Sequence, residues 1–193
     1  RVTKRELGSL PKRYNDWIFD LTADQRRMIK SLKDDLVAVL ADGTEIDVSN
    51  VNSPLDKIQQ VASGFIFDEK GQPEWLMPPA DNPRIQAMLQ WLEASPGKAI
   101  VWSRFIPDKV IIAEALKAAK ITYCEYHAQV SNKARDEAKA AFMDADGPRV
   151  LVAGKSASTG LDGLQDHCRQ ALYYNNSFDS IYRWQSEDRI DRI

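Results

Sequence analysis

From residue 84 onward the sequence alternates between short apolar runs and amphipathic stretches, and this alternation restricts the fold more than any other feature. Lys98-Ala-Ile-Val-Trp-Ser103, Ile121-Thr-Tyr-Cys-Glu-Tyr126, Arg149-Val-Leu-Val-Ala153 and Gln170-Ala-Leu-Tyr-Tyr174 are of strand length and rich in β-branched and aromatic residues. Helical spacing separates them: Ile85, Met88, Leu89 and Leu92 before the first run, a segment opened by Pro107, and Asn132 to Met143. Strands joined by helices of this length call for right-handed βαβ units, so an α/β fold is expected, with a parallel sheet covered on both faces. Ligands gather at the carboxyl ends of such strands. Three loops qualify: Ser103-Arg104-Phe105, Tyr126-His127-Ala128, and the long loop from Gly154 to Gln165.

The first 83 residues read differently. Trp17-Ile-Phe-Asp-Leu21 alternates like a strand. Thr22 or Asp24 can cap a helix in which Gln25, Met28, Ile29, Leu32, Leu36 and Val39 recur until Gly43. A second helix is expected from Pro54 to about Ser63, ended by Gly64. Phe65 to Leu76 reads as a β-hairpin, and the proline-rich 77–83 segment as a non-helical connection. Residues 1–83 are thus expected to be a helical and hairpin elaboration of an α/β core at 84–193, within one domain. The stripe Arg26, Arg27, Lys30 and Lys33 is interrupted by Asp34 and Asp35 and reads as a solvated face. Phe65, Phe67 and Trp75 read as packing within the hairpin's own lobe.

A net charge of −2, from 26 basic and 28 acidic residues, argues against nucleic-acid binding by bulk positive charge; any such contact must be local. The chain has no apolar run approaching a membrane span and no charged-then-apolar leader, so a cytoplasmic protein with no membrane partner is expected. Cys124 and Cys168 form no C-x-x-C and are expected as reduced thiols. A zinc site from Cys124, His127, His167 and Cys168 is disfavoured, because adjacent residues rarely aim at one tetrahedral ion; no metal site is expected.

The final stretch, Gln185-Ser-Glu-Asp-Arg189-Ile-Asp-Arg192-Ile193, carries the chemistry. On a helix, positions 185, 189 and 192 fall within roughly 60° of one another, placing an amide and two planar guanidinium forks on one face suited to a polyphosphate. The plain alternative is an exposed i,i+4 pair between Asp188 and Arg192. Gly154-Lys155-Ser156 looks like the end of a P-loop, but Arg149 stands where that loop needs glycine, so a P-loop is rejected.

Together, Gly154-Lys-Ser-Ala-Ser-Thr-Gly160-Leu-Asp162-Gly163-Leu-Gln165 and the Gln-x-x-x-Arg-x-x-Arg ending resemble the last two helicase motifs of the Swi/Snf-family ATPases of helicase superfamily two. Leu10-Pro11-Lys12 followed by Leu-Thr-x-x-Gln25 is similar to the start of that family's second lobe. The resemblance implies a C-terminal RecA-like lobe of a two-lobe ATP-dependent motor. It implies Arg189 and Arg192 as arginine fingers acting in trans, with Gln185 sensing closure. Gly160, Asp162 and Gly163 would then face the nucleotide cleft, the glycines allowing close approach and Asp162 accepting from a ribose or holding an arginine. Ser103, Arg104, Lys155, Ser156 and Ser158 would contact the backbone of DNA or RNA. Ala128 stands where the family usually has glycine, and Ser158 and Thr159 where many relatives carry Gly-Gly. ATP and Mg²⁺ would be held mainly by an N-terminal RecA-like lobe of the same protein, since no phosphate-binding lysine motif is present here. The chain starts at Arg1 without an initiator methionine and stops where the family continues with Gly-Gln. A fragment of a longer protein, inactive alone, is therefore expected. The alternative from a different class is a non-catalytic α/β binding module.

Overall fold

The computed structural model describes residues 12–41, 48–177 and 179–191, with side chains for all of these except 35–41 and 48–53. The sequence features at Leu10-Pro11, Gly43 and Arg192 lie outside the described residues. The chain forms two compact units, Ile18–Ala87 and a second made of Met88 onward with the segment up to Trp17.

In the Ile18–Ala87 unit, helix α1 (Ala23–Ala41) opens with a reciprocal capping box. The Gln25 N–H donates to Thr22 Oγ1 (3.2 Å), and the Thr22 N–H to Gln25 Oε1 (2.9 Å). The buried Gln25 amide also donates to the carbonyl of Val61 (2.9 Å), tying α1 to helix α2 (Val48–Ser63). Ile29, Val61 and Ala62 form the core between them, with Met28, Leu32 and Ile58 at its margin. Helix α2 starts before Pro54, which lies inside it and not at its first turn. Gly64 ends α2 at φ 91°, and a Cβ there would sit 2.5 Å from Asn82 Nδ2.

Strands β1 (Phe65–Phe67) and β2 (Pro73–Trp75) pair antiparallel as the expected hairpin. Phe65 meets Phe67 and Trp75 edge-on at 5.3 and 5.9 Å, so the aromatics pack on each other. Two local expectations fail. Trp17–Leu21 forms no strand: the segment joins no ladder, and Ile18 is 88% exposed. Within the proline-rich connection, Pro79–Asp81 makes one 3₁₀ turn, the short helical form that Pro at a first position permits. On the basic stripe, Arg26 donates to the Leu21 carbonyl (2.6 Å) and Arg27 pairs with Asp24.

Helix α3 (Pro83–Ala94) carries the chain from one unit into the other, its N-terminus capped by Asn82 Oδ1. There follow β3 (Ala99–Trp102), α4 (Ile106–Ala118), β4 (Tyr123–Tyr126), α5 (Asn132–Met143), β5 (Val150–Ala153), a short α6 (Ala157–Gly160), β6 (Ala171–Tyr173) and α7 (Ser180–Asp188). The four strands are parallel in the order β4-β5-β3-β6. Every residue of the central β3 and β5 is fully buried, which is why those segments read as continuous apolar runs. One face of the sheet packs Ile100, Trp102, Leu151, Ala153 and Tyr126 against Phe142 of α5, Leu161, Leu164 and Tyr182 of α7.

Register sets the position of the site. Trp102 pairs with both Ala153 and Tyr173, and Ala153 with Tyr126, so all four strands end at one level. Ser103, His127, Gly154 and Tyr174 therefore leave the sheet side by side.

Candidate nucleotide and nucleic-acid site

The loop after β5 is not a simple coil. The Gly154 N–H bonds the Tyr126 carbonyl (3.0 Å), prolonging the ladder by one step, and α6 then buries Ala157 and Ser158. Glycine at 154 is a matter of room: a Cβ there would lie 2.9 Å from His127 Cβ and 3.0 Å from Lys109 Cε. Gly160 presses against the Tyr126 phenol, where a Cβ would come within 3.2 Å of Cζ. Gly163 adopts φ 85°, a left-handed conformation that lets the chain turn into the 3₁₀ segment Leu164–Asp166 and bury Leu164.

Helix α7 is fastened to that loop at both ends. At its start, Asp179 Oδ1 accepts the Tyr182 N–H (3.1 Å) as N-cap while Oδ2 accepts from Lys155 Nζ (3.0 Å). At its end, Arg189 is 9% exposed and sends Nε to the Ser158 carbonyl (2.6 Å) and Nη1 to the Leu161 carbonyl (3.0 Å) and to Asp162. Between these ties Tyr182 meets Trp102 edge-on at 6.1 Å. The Ser186 hydroxyl donates to the Arg183 carbonyl (2.8 Å) and accepts from the Tyr173 phenol (2.7 Å). Burial pushes the Tyr173 phenol up to about 12.

The residues singled out by sequence fall into three groups. Arg189 and Asp162 meet, beside Ser158, Gly160 and Gly163. Lys155 is exposed on the same loop, whereas Ser156 has a buried hydroxyl oxygen with no hydrogen-bond partner among the described residues. The Ser158 side chain turns inward, donating to the Lys155 carbonyl (2.8 Å). Ser103 is fully buried, and its hydroxyl donates to Asp108 Oδ2 (3.0 Å). Arg104 is exposed, its guanidinium 5.1 Å from the Phe105 ring centroid. Gln185 is half-buried on α7. The helix itself stops at Asp188, with Arg189 as its C-cap, so a single helical face does not run from 185 through 192.

Sequence reasoning passed over the residues that hold this edge together. Asp108, fully buried in the first turn of α4, accepts from Ser103 and from the Asn175 amide, while Asn175 Oδ1 accepts the Arg104 N–H (2.8 Å). This network locks the turn after β3 to the second residue after β6. Lys109 donates to the Phe105 carbonyl (2.9 Å), and burial pushes its ammonium down to about 8. Among the described residues, no group of three or more His, Cys, Asp or Glu is placed to hold a metal ion, and no helix is long and apolar enough to cross a membrane.

Comparison with known proteins agrees with this geometry. Residues 83–193 match the helicase conserved C-terminal domain. No relative among the curated proteins matches the sequence. The C-terminal part of the Fun30 ATPase domain superposes with a TM-score of 0.64 at 13% identity, covering 91% of this chain and 78% of that one. The Sulfolobus solfataricus SWI2/SNF2 ATPase C-terminal domain gives 0.61 at 18% identity, over 80% and 68% of the two chains. The S. solfataricus SWI2/SNF2 ATPase core in complex with double-stranded DNA gives 0.67 at 20%, covering 91% of this chain. This chain spans 36% of the length of that core, and 35% of a second S. solfataricus core structure. Matched over more than half its length, the chain belongs to the helicase conserved C-terminal domain family and has the fold of a SWI2/SNF2 C-terminal lobe.

Proposed function

We propose that this chain is the C-terminal motor lobe of an ATP-dependent DNA translocase, contributing arginines and backbone contacts to an ATPase site completed by an N-terminal RecA-like lobe. The observation that carries this reading is the seat of Arg189 on Ser158, Leu161 and Asp162, which makes the glycine-bearing loop and the arginine helix one piece. Arg104 and Lys155, both exposed beside carboxyl ends of the sheet, supply the contacts to DNA phosphates. Ser156, whose hydroxyl oxygen is buried, contributes as part of the same turn, and Ser103 and Ser158 shape the two turns from within.

Arg189 holds Asp162, Gly160 and Gly163 at the cleft, and Arg192 reaches across it to charge developing on the transferring γ-phosphate, with Gln185 registering closure. ATP and Mg²⁺ are held mainly by the other lobe, and bound Mg²⁺ supplies charge neutralisation on the phosphates there. The lobe alone is then half a site and turns over no ATP. Its setting is the cytoplasm, in association with nucleic acid.

The test is Arg192→Ala in a protein carrying both lobes. Because a finger acts on the transition state, kcat is expected to fall by about 10³-fold or more with little change in KM for ATP. Arg192→Lys is expected to fail as well, since an ammonium lacks the planar fork. Parent-like turnover in both variants removes the assignment. It would favour a second reading, an α/β interaction module, whose support is the exposure of Ile181 (62%) and Trp184 (68%) on α7.

A further inference from the structure

Helix α7 ends in charges of the wrong sign. Its last turn holds no basic residue, yet Glu187 and Asp188 lie there and Asp191 follows, at the end where the helix dipole already disfavours anions. A cation shared by all three carboxylates comes from the other end of the chain. Lys12 Nζ stands 3.4 Å from Glu187 Oε2, 3.5 Å from Asp188 Oδ1 and 3.6 Å from Asp191 Oδ2. Tyr14 donates its phenolic proton to the same Glu187 Oε2 at 2.8 Å.

Glu187 is the junction of this arrangement. Its other oxygen accepts from Arg183 Nε (2.6 Å), and the Arg183 guanidinium lies 3.4 Å over the ring of Tyr173 in β6. The segment carrying Lys12 and Tyr14, here termed the strap, thus meets helix and sheet at one carboxylate that is only 14% exposed. Burial by itself would raise that carboxyl, but the hydrogen bonds from Arg183 and Tyr14 hold it below the usual range. Burial would lower the Lys12 ammonium, but the three carboxylates and Tyr14 hold it above.

Position on the helix gives these contacts their meaning. Glu187 and Arg189 are two residues apart, about 200° around the axis, so they project from opposite sides. Arg189 is gripped by the loop on one side, and Glu187 by the strap on the other. Where the helix ends, the backbone makes long bonds, from the Arg189 N–H to the Ser186 carbonyl and from the Ile190 N–H to the Glu187 carbonyl, both 3.3 Å.

We propose that Lys12 and Tyr14 are positioning residues for ATP turnover, fastening the last turn of α7 so that Arg189 keeps its seat and Arg192 is presented in one orientation. This rests on the reading of the chain as half of an ATPase. Neither residue touches nucleotide. They act through Glu187, and their loss leaves Arg192 present but loosely aimed, which costs turnover and not ATP affinity.

The experiment uses a protein carrying both lobes and the double variant Lys12→Ala/Tyr14→Phe, with ATP as substrate and duplex DNA as activator. We expect kcat about 10-fold lower, KM for ATP and DNA affinity within about two-fold of the parent, and Lys12→Arg restoring most of the loss. Amide exchange at residues 187–190 is expected to quicken by about 10-fold in the double variant, because the strap no longer holds that turn. Glu187→Gln gives the same pattern and serves if the double variant does not fold. Parent-like kcat alongside an inactive Arg192→Ala overturns the proposal and leaves the ATPase reading standing. If Arg192→Ala is itself fully active, the ATPase reading fails, and with it the positioning role. Unchanged exchange at 187–190 overturns the proposal whatever the kinetics.

Discussion

Asp179 divides its carboxylate between two elements, capping α7 through the Tyr182 N–H at 3.1 Å and holding Lys155 at 3.0 Å. The Tyr182 N–H and then Lys155 keep its carboxyl below the usual range. Asparagine can keep the cap but not the ion pair. Asp179→Asn is therefore expected to free Lys155 and tighten DNA binding by about two- to five-fold at 50 mM salt, an advantage that shrinks at 200 mM. Fluorescence anisotropy at the two salt concentrations measures it. Asp179→Ala, which also loses the cap, is expected to melt at a lower temperature than Asp179→Asn. Equal affinities for parent and Asp179→Asn would mean that Lys155 does not meet phosphate.

Arg189 is nearly buried, while its carboxylate partner Asp162 is 63% exposed. Solvent screens that pair, so most of the cost of Arg189→Ala comes from the carbonyls of Ser158 and Leu161 losing their donors. We expect a loss of about 1 to 3 kcal/mol in denaturant unfolding, without a change in m-value. Asp162→Asn, which keeps an acceptor facing Arg189, is expected to lose less than about 1 kcal/mol. A larger loss for Asp162→Asn than for Arg189→Ala would show that the ion pair, and not the backbone, is what Arg189 serves.

Both thiols are shielded. Burial pushes Cys124 and Cys168 up to about 11 from 9.0. At pH 8 their thiolate fraction is then about 100-fold below that of an ordinary cysteine, so iodoacetamide is expected to label them only after unfolding. The same shifts set an alkaline limit. A group whose folded pKa is raised stays protonated while the unfolded chain has already lost its proton, so stability falls from pH 9 to 11. Each thiol contributes on the order of 1 to 3 kcal/mol to that fall, the half-buried Cys124 less than Cys168 because solvent screens it. Tyr173, raised from 10.0 to about 12, extends it. Lys109 opposes it from pH 8 to 10.5, because its pKa is lowered. Melting temperatures across this range should drop, and Cys124→Ala/Cys168→Ala should flatten the drop.

Strands and helices whose side chains are buried by periodic neighbours were legible in the sequence. Asn132–Met143 is a helix with the bounds its spacing gives, and the four apolar runs are four strands trimmed by one or two residues. Trp17–Leu21 shows the limit: alternation is a property of one segment, whereas a strand needs a partner edge. Helix α7 shows another, since a 3.6-residue period extrapolates through position 192 while the backbone leaves the helix after Asp188. The Gly154–Gln165 segment hid two short helical turns, too brief to show a period. The meeting of Asp162 with Arg189 was foreseeable from residue chemistry. The Asp108–Asn175 network was not, because it exists only once β6 lies beside β3, joining residues 67 apart in sequence.

A nine-residue helix is about 13 Å long, and α7 is pinned at both ends to the same twelve-residue loop, through Lys155 and Asp179 at one end and Asp162 and Arg189 at the other. In mechanical terms it is a strut. A member hinged at one end swings and dissipates a push, whereas one braced at both ends passes displacement along its axis. Displacement of the loop therefore carries the helix with it through these side-chain ties, without a change of secondary structure.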